Sequence, residues 1–150
     1  MPATPELTID AYQDAWNAMD FAALGLLWDS AESDIYYVAE EMDQPMYQWA
    51  EVAQYFELTA SVVESVNLWA ENRRYKPLTE NLTVATFDMH VDITMSSAKT
   101  QGIKPVGVDV RVSAILKQRD KQWRFIHYAE APLGPLLFVR RAYAANVRGD

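Results

Sequence analysis

Cysteine is absent from the 150-residue chain, which excludes disulfides, thiolate nucleophiles and Cys-ligated zinc. Basic residues are absent from its first 72 positions: no Lys or Arg precedes Arg73, whereas 14 of the 21 acidic residues do. The leading part therefore carries a formal charge of −14 and the remainder +6, for −8 overall. An acidic surface repels phosphate, so no nucleic-acid partner is expected. The N-terminal half also lacks a basic face for an anionic membrane. No apolar run approaches the roughly 18 residues that a bilayer span needs. Met1–Glu6 has neither the basic region nor the apolar core of a secretory signal, so the expected location is cytoplasmic. Neither a metal nor a cofactor is expected.

What the chain does have is material for a core. Half of its residues are apolar and 23% are charged, which excludes a disordered chain. A single domain of this length buries roughly 70% of its unfolded surface without a staple. The charge asymmetry reads as acidic helices lying over a mildly basic sheet, or as complementary surfaces of an oligomer.

Thr4-Pro5-Glu6 is a helix start: an N-cap hydroxyl, Pro at the first helical position and an acid at the positive dipole end. Ile9, Tyr12, Trp16 and Met19 follow at helical spacing. Asp20 caps a second short helix that turns Phe21, Leu24, Leu27 and Trp28 inward. Ile35-Tyr36-Tyr37-Val38 reads as a strand, and Glu40 to Pro45 as a loop. A helical pattern resumes at Gln48. Ser61-Val62-Val63-Glu64 has capping-box spacing, which places a break near Thr59 and leaves Val62 to Trp69 as helix or strand. From Pro77 the apolar period is two: Met89, Val91, Ile93 and Met95, then Val108, Val110 and Val112. Gln118 to Lys121 reads as a hairpin turn and Trp123 to Glu130 as the last strand. The fold class is α+β, with N-terminal helices on the concave face of a curved, mostly antiparallel sheet.

Four segments carry a family likeness: Ala15–Leu24 at the exit of the first helix, the aromatic pair Tyr55-Phe56, Arg111-Val112-Ser113, and Asp120–Tyr128 in the final hairpin. In this order they resemble the nuclear transport factor 2-like superfamily, and within it the SnoaL-like proteins and the association domain of calcium/calmodulin-dependent kinases. The resemblance implies a cystatin-like cone over residues 1–132, a pocket between helices and sheet, and a homodimer formed through the sheet. Residues 133–150 extend past the last strand and are expected to dock on the domain or on a partner subunit.

The ketosteroid isomerases that the resemblance brings in use a tyrosine of the first helix as oxyanion donor, and Tyr12 matches it. Their two acids fall near Ala39, beside Glu40, and near Ser113. The dehydratases place an Asp where this chain has Asn17, and an amide neither accepts a proton nor stabilises an imidazolium as a carboxylate does. The expected catalytic set is therefore Tyr12, Glu130 and Arg111, with Arg111 and Glu130 paired because a pocket charge needs a partner. Trp16, Asn17, Tyr55, Phe56, Ser113 and Tyr128 are the expected ligand contacts. Strand alternation groups Arg111 with Ser113, and Ile126 with Tyr128 and Glu130. It places His127 on the opposite, subunit-facing side together with Trp123 and Phe125. His90 lies between Asp88 and Asp92 on what reads as a solvated strand face. The expected function is a small-ligand pocket protein that takes an apolar or aromatic molecule. The alternatives are an isomerase or lyase that uses Tyr12 with Glu130 or Glu40, and a non-catalytic homo-oligomerisation hub.

Overall fold

The structure is a computed structural model and describes residues 2–97, 102 and 106–132. Helix α1 (Pro5–Asn17) opens where the Thr4 hydroxyl accepts from the Leu7 N–H at 3.3 Å. Its buried stripe is Ile9, Tyr12 and Trp16. Asp20 caps α2 (Phe21–Leu26) by accepting from the Ala23 N–H at 2.9 Å. Strand β1 (Tyr36–Val38) follows, and then α3 (Trp49–Val62). Glu51 secures the start of α3, its carboxylate accepting from the Tyr47 and Gln48 N–H groups at 2.8 and 3.1 Å.

The break expected near Thr59 is absent. The helix continues to Val62, and strand β2 (Val63–Thr79) starts at the next residue. Val62–Trp69 is thus almost wholly strand, and the two-residue alternation begins well before Pro77. The valines here suit either state, and pairing decides. Val63, Val66 and Leu68 lie opposite Met95, Ile93 and Val91 of β3 (Leu82–Met95). β4 (Val106–Arg119) and β5 (Gln122–Pro132) complete the sheet.

The strand order is β1-β5-β4-β3-β2, with β1 parallel to β5 and the other pairs antiparallel. β2 is an edge strand, which tolerates Pro77. Its pairing shifts between Glu71 and Arg74, where Asn72 takes a φ of 52°, and such irregularities bend a strand. The β4–β5 hairpin closes on Asp120 and Lys121, both at positive φ (52° and 61°), as a two-residue type I′ turn requires.

One bulge resets the inward face of β5. Ile115 pairs with His127 and Leu116 with Phe125, so Ile126 is an extra residue. As a result Trp123, Phe125 and Tyr128 are all buried against the helices. Plain alternation had put Trp123 and Phe125 on the far side with His127, and the inserted residue reverses that for the two aromatics. Tyr12 packs on Phe125 and on Tyr128, each at 5.4 Å between ring centroids. The result is the α+β arrangement read from the sequence: helices on the concave face of a curved, mostly antiparallel sheet. No helix among the described residues is long and apolar enough to cross a membrane. Residues 133–150, expected to dock, lie outside the described residues.

Candidate functional site

Between α1, α3 and the concave face lies a cavity of about 70 Å³. Its deep wall is Tyr12, Trp16, Tyr37, Met89 and Val110, all buried, and its outer side is Glu40, Tyr55, Ile93 and Val108, half-buried, with Glu41 exposed at the mouth. The volume is well under the ~150 Å³ that accepts a benzene, and the cavity opens to solvent beside Glu41, so a molecule of a few heavy atoms is the size it suits. The aromatic ligand expected from the sequence therefore does not fit the cavity in this conformation.

Glu130 is the ionisable group at the wall. Its partner in register is Val112, a buried residue, so β5 carries it inward. Its carboxyl is held by two neutral donors: the Tyr128 hydroxyl at 3.0 Å and the Glu40 N–H at 3.1 Å. Burial raises its pKa to about 7, aided by Glu41 and Glu40, while the two hydrogen bonds pull the other way. Such a carboxyl exchanges its proton near neutrality.

Tyr12 stands next to this group. Its ring is 2% exposed, and burial with the nearby Glu130 raises its pKa strongly, against the hydrogen bond to Tyr128. The Tyr12 ring packs 5.4 Å from that of Tyr128, whose hydroxyl donates to Glu130. Trp16 adds a buried indole N–H without a partner. The Tyr55 hydroxyl donates to Glu41 at 2.6 Å on the partly exposed side. Glu40, whose pKa is raised by burial and by Glu41, lines the cavity as well.

Several expected residues stand elsewhere. Arg111 and Ser113 are exposed, whereas Val110, Val112 and Ala114 are buried. Arg111 therefore does not pair with Glu130; it lies on the convex face in register with Asp88 and Ala131. Asn17 is committed to the backbone. Its amide donates to the Leu68 carbonyl at 2.9 Å and accepts from the Leu68 N–H at 2.6 Å, tying α1 to β2. Phe56 packs behind the cavity on Trp16 and Tyr37, at 5.9 and 6.3 Å. On the convex face His90 is clasped by Asp109 and Asp92, at 2.6 and 3.2 Å, and stacks on Trp69 at 4.3 Å. The same face stacks Tyr36 on His127 at 4.7 Å. No group of three or more His, Asp or Glu side chains among the described residues suits a metal ion. The Glu40 N–H was invisible to sequence reading, because nothing in a loop's composition says which amide it will aim inward.

A profile described as the SnoaL-like domain matches residues 6–132. No curated protein matches the sequence significantly. Among solved structures, a protein provisionally named a dehydratase of the NTF2-like family, from Streptomyces avermitilis, superposes with a TM-score of 0.71 at 14% identity, covering 85% of this chain and 93% of its own. A nuclear transport factor 2-like superfamily protein from Salmonella enterica gives a TM-score of 0.69 at 15% identity, covering 84% and 86%. A provisionally named calcium/calmodulin-dependent protein kinase II association domain from Xanthomonas campestris gives 0.70 at 14%, covering 85% and 84%. At these identities the likeness establishes the fold.

Proposed function

Because this chain belongs to the SnoaL-like domain family, whose fold hosts both catalysts and binding modules, we propose from its own cavity that it is a cofactor-independent proton-transfer enzyme, an isomerase or lyase acting on a small carbonyl compound. The observation that carries this reading is the Glu130 carboxyl, held by Tyr128 and the Glu40 N–H at the wall of an apolar cavity.

Tyr12 donates to the carbonyl oxygen and stabilises the negative charge that develops there. Glu130, as carboxylate, takes a proton from the adjacent carbon. In an isomerase it returns that proton to another carbon, and in a lyase to the departing oxygen. The Tyr128 hydroxyl steadies the carboxylate and links it to Tyr12. Arg111 has no part in this set. A dehydratase name on a structural neighbour fits the lyase branch.

The test is hydrogen–deuterium exchange of the methyl protons of acetone, followed by NMR in deuterium oxide near neutrality. Exchange above a buffer blank, abolished in Glu130→Gln and slowed about 10²-fold in Tyr12→Phe, supports the reading. A rate equal to the blank, or unchanged in Glu130→Gln, overturns it.

The aromatic pairs on the convex face, Trp69 on His90 and Tyr36 on His127, favour a second reading: self-association through the sheet. Sedimentation of the full chain tests it, with a dimer in the wild type and a monomer in Trp69→Lys as the supporting result.

A further inference from the structure

The cavity's charge carries information that its shape does not. Tyr12, Trp16, Tyr37, Glu40, Glu41 and Tyr55 line it, and all six come from the stretch before Arg73 that contains no Lys or Arg. No Lys, Arg or His lines the cavity among the described residues, whereas three carboxyl groups do, those of Glu40, Glu41 and Glu130. None of the ion pairs found among the described residues involves these three. Neutral groups hold two of them instead, Tyr55 on Glu41, and Tyr128 with a backbone N–H on Glu130. Hydrogen bonds of this kind stabilise a carboxylate without cancelling its charge. The cationic side chains of β4 stand away from the cavity, to which that strand contributes Val108 and Val110. Lys117 pairs with Glu32 and Arg119 with Asp29, and Arg111 is on the convex face.

Four aromatic rings complete the enclosure, and their faces carry negative potential. A carboxylate ligand meets repulsion from three sides here. A neutral ligand gains only contact. A cation gains from the carboxyls and from the rings together, most of all beside Glu130, the most deeply set of the three acids.

We infer that the ligand of this cavity is a small cationic amine, its ammonium between Glu41 and Glu130 and its carbon skeleton against Tyr12, Trp16, Tyr37 and Tyr55. The inference rests on the cavity being the ligand site, as proposed above, but not on the proton transfer. Where both hold, the substrate is a small carbonyl compound that also bears an amine. The bound ammonium neutralises the repulsion among the carboxyls and favours the ionised, proton-accepting form of Glu130.

Isopropylamine, isopropanol and acetate have equal numbers of heavy atoms and differ in charge. Each is titrated into the full chain near pH 8, reading the methyl resonances of Met89 and Ile93. The expected result is that isopropylamine binds about tenfold more tightly than isopropanol, that acetate shifts nothing, and that Glu40→Gln/Glu41→Gln removes the preference for the amine. Isopropanol binding as well as the amine, or acetate binding at all, overturns the inference and leaves the proton-transfer reading to the acetone experiment. Silence from all three probes also overturns the inference, and exchange of acetone above the blank then shows whether the proton-transfer reading stands without it.

Discussion

The Tyr128 hydroxyl donates to Glu130 Oε1 at 3.0 Å from two residues back along the same strand. Both side chains point to the concave side, so the pair is built by strand geometry alone, and the Glu40 N–H then closes the carboxyl in from the neighbouring loop. Glu130 has a folded pKa of about 7 against 4.5 when free. Between those values the folded state holds this proton more often than the unfolded one, so the stability that Glu130 contributes is fully present below about pH 4.5 and is lost as pH rises through 7. The loss is of order 3 kcal/mol. Urea unfolding at about pH 5 and about pH 8 is expected to show a steeper decline for the wild type than for Glu130→Gln, which has no proton to lose. Parallel declines would refute the assignment.

Asn17 uses both ends of its amide on Leu68. Asn17→Ala is expected to cost about 1–3 kcal/mol, because it leaves two backbone groups of β2 without partners. Asn17→Asp sets a carboxylate against the Leu68 carbonyl, so its instability is expected to be relieved at low pH, where the protonated acid donates again. Chemical denaturation of both variants across pH checks this.

Lys121 holds a φ of 61° in the hairpin turn, a region that costs a residue with a Cβ about 1–2 kcal/mol. Lys121→Gly makes the favoured Asp-Gly turn and is expected to stabilise the protein by up to about 1 kcal/mol, since greater freedom of the unfolded glycine offsets part of the gain. A higher melting temperature is the readout.

Arg111→Ala is expected to change stability by no more than about 0.5 kcal/mol and to leave the cavity methyl shifts with isopropylamine intact. The residue is exposed on the convex face. A lost shift would show that the side chain reaches the cavity after all.

Locally encoded features were legible in the sequence. Thr4 and Asp20 announce the starts of α1 and α2 by their own side chains, and the apolar spacing of α1 shows which residues it buries. Long-range features were not. Nothing marks Ile126 as a bulge, because the extra residue exists only relative to the partner strand. That hidden insertion is why Trp123 and Phe125 were assigned to the wrong face. Arg111 was assigned inward from the family likeness, whereas the register of Val112 with Glu130 decides the matter. Tyr12, Glu130, Trp16 and Tyr55 do gather at one cavity, since helix and strand parity each held over short spans. The hydrogen-bonding roles of Asn17 and the Glu40 N–H depend on partners far along the chain, and no sequence pattern encodes them.

Helix α3 hands the chain to β2 without a single connecting residue. Its C-terminal end is therefore anchored to the sheet, and Tyr55 cannot withdraw at that end without unzipping Val63 from Met95. The other end is tethered by the connection from β1, which carries Glu40 and Glu41. Beyond the two acids, Met46 exchanges both of its backbone hydrogen bonds with Tyr37, at 2.9 and 2.8 Å, so the stretch that gives the site its negative charge is set in place by the sheet at one end and by the helix at the other.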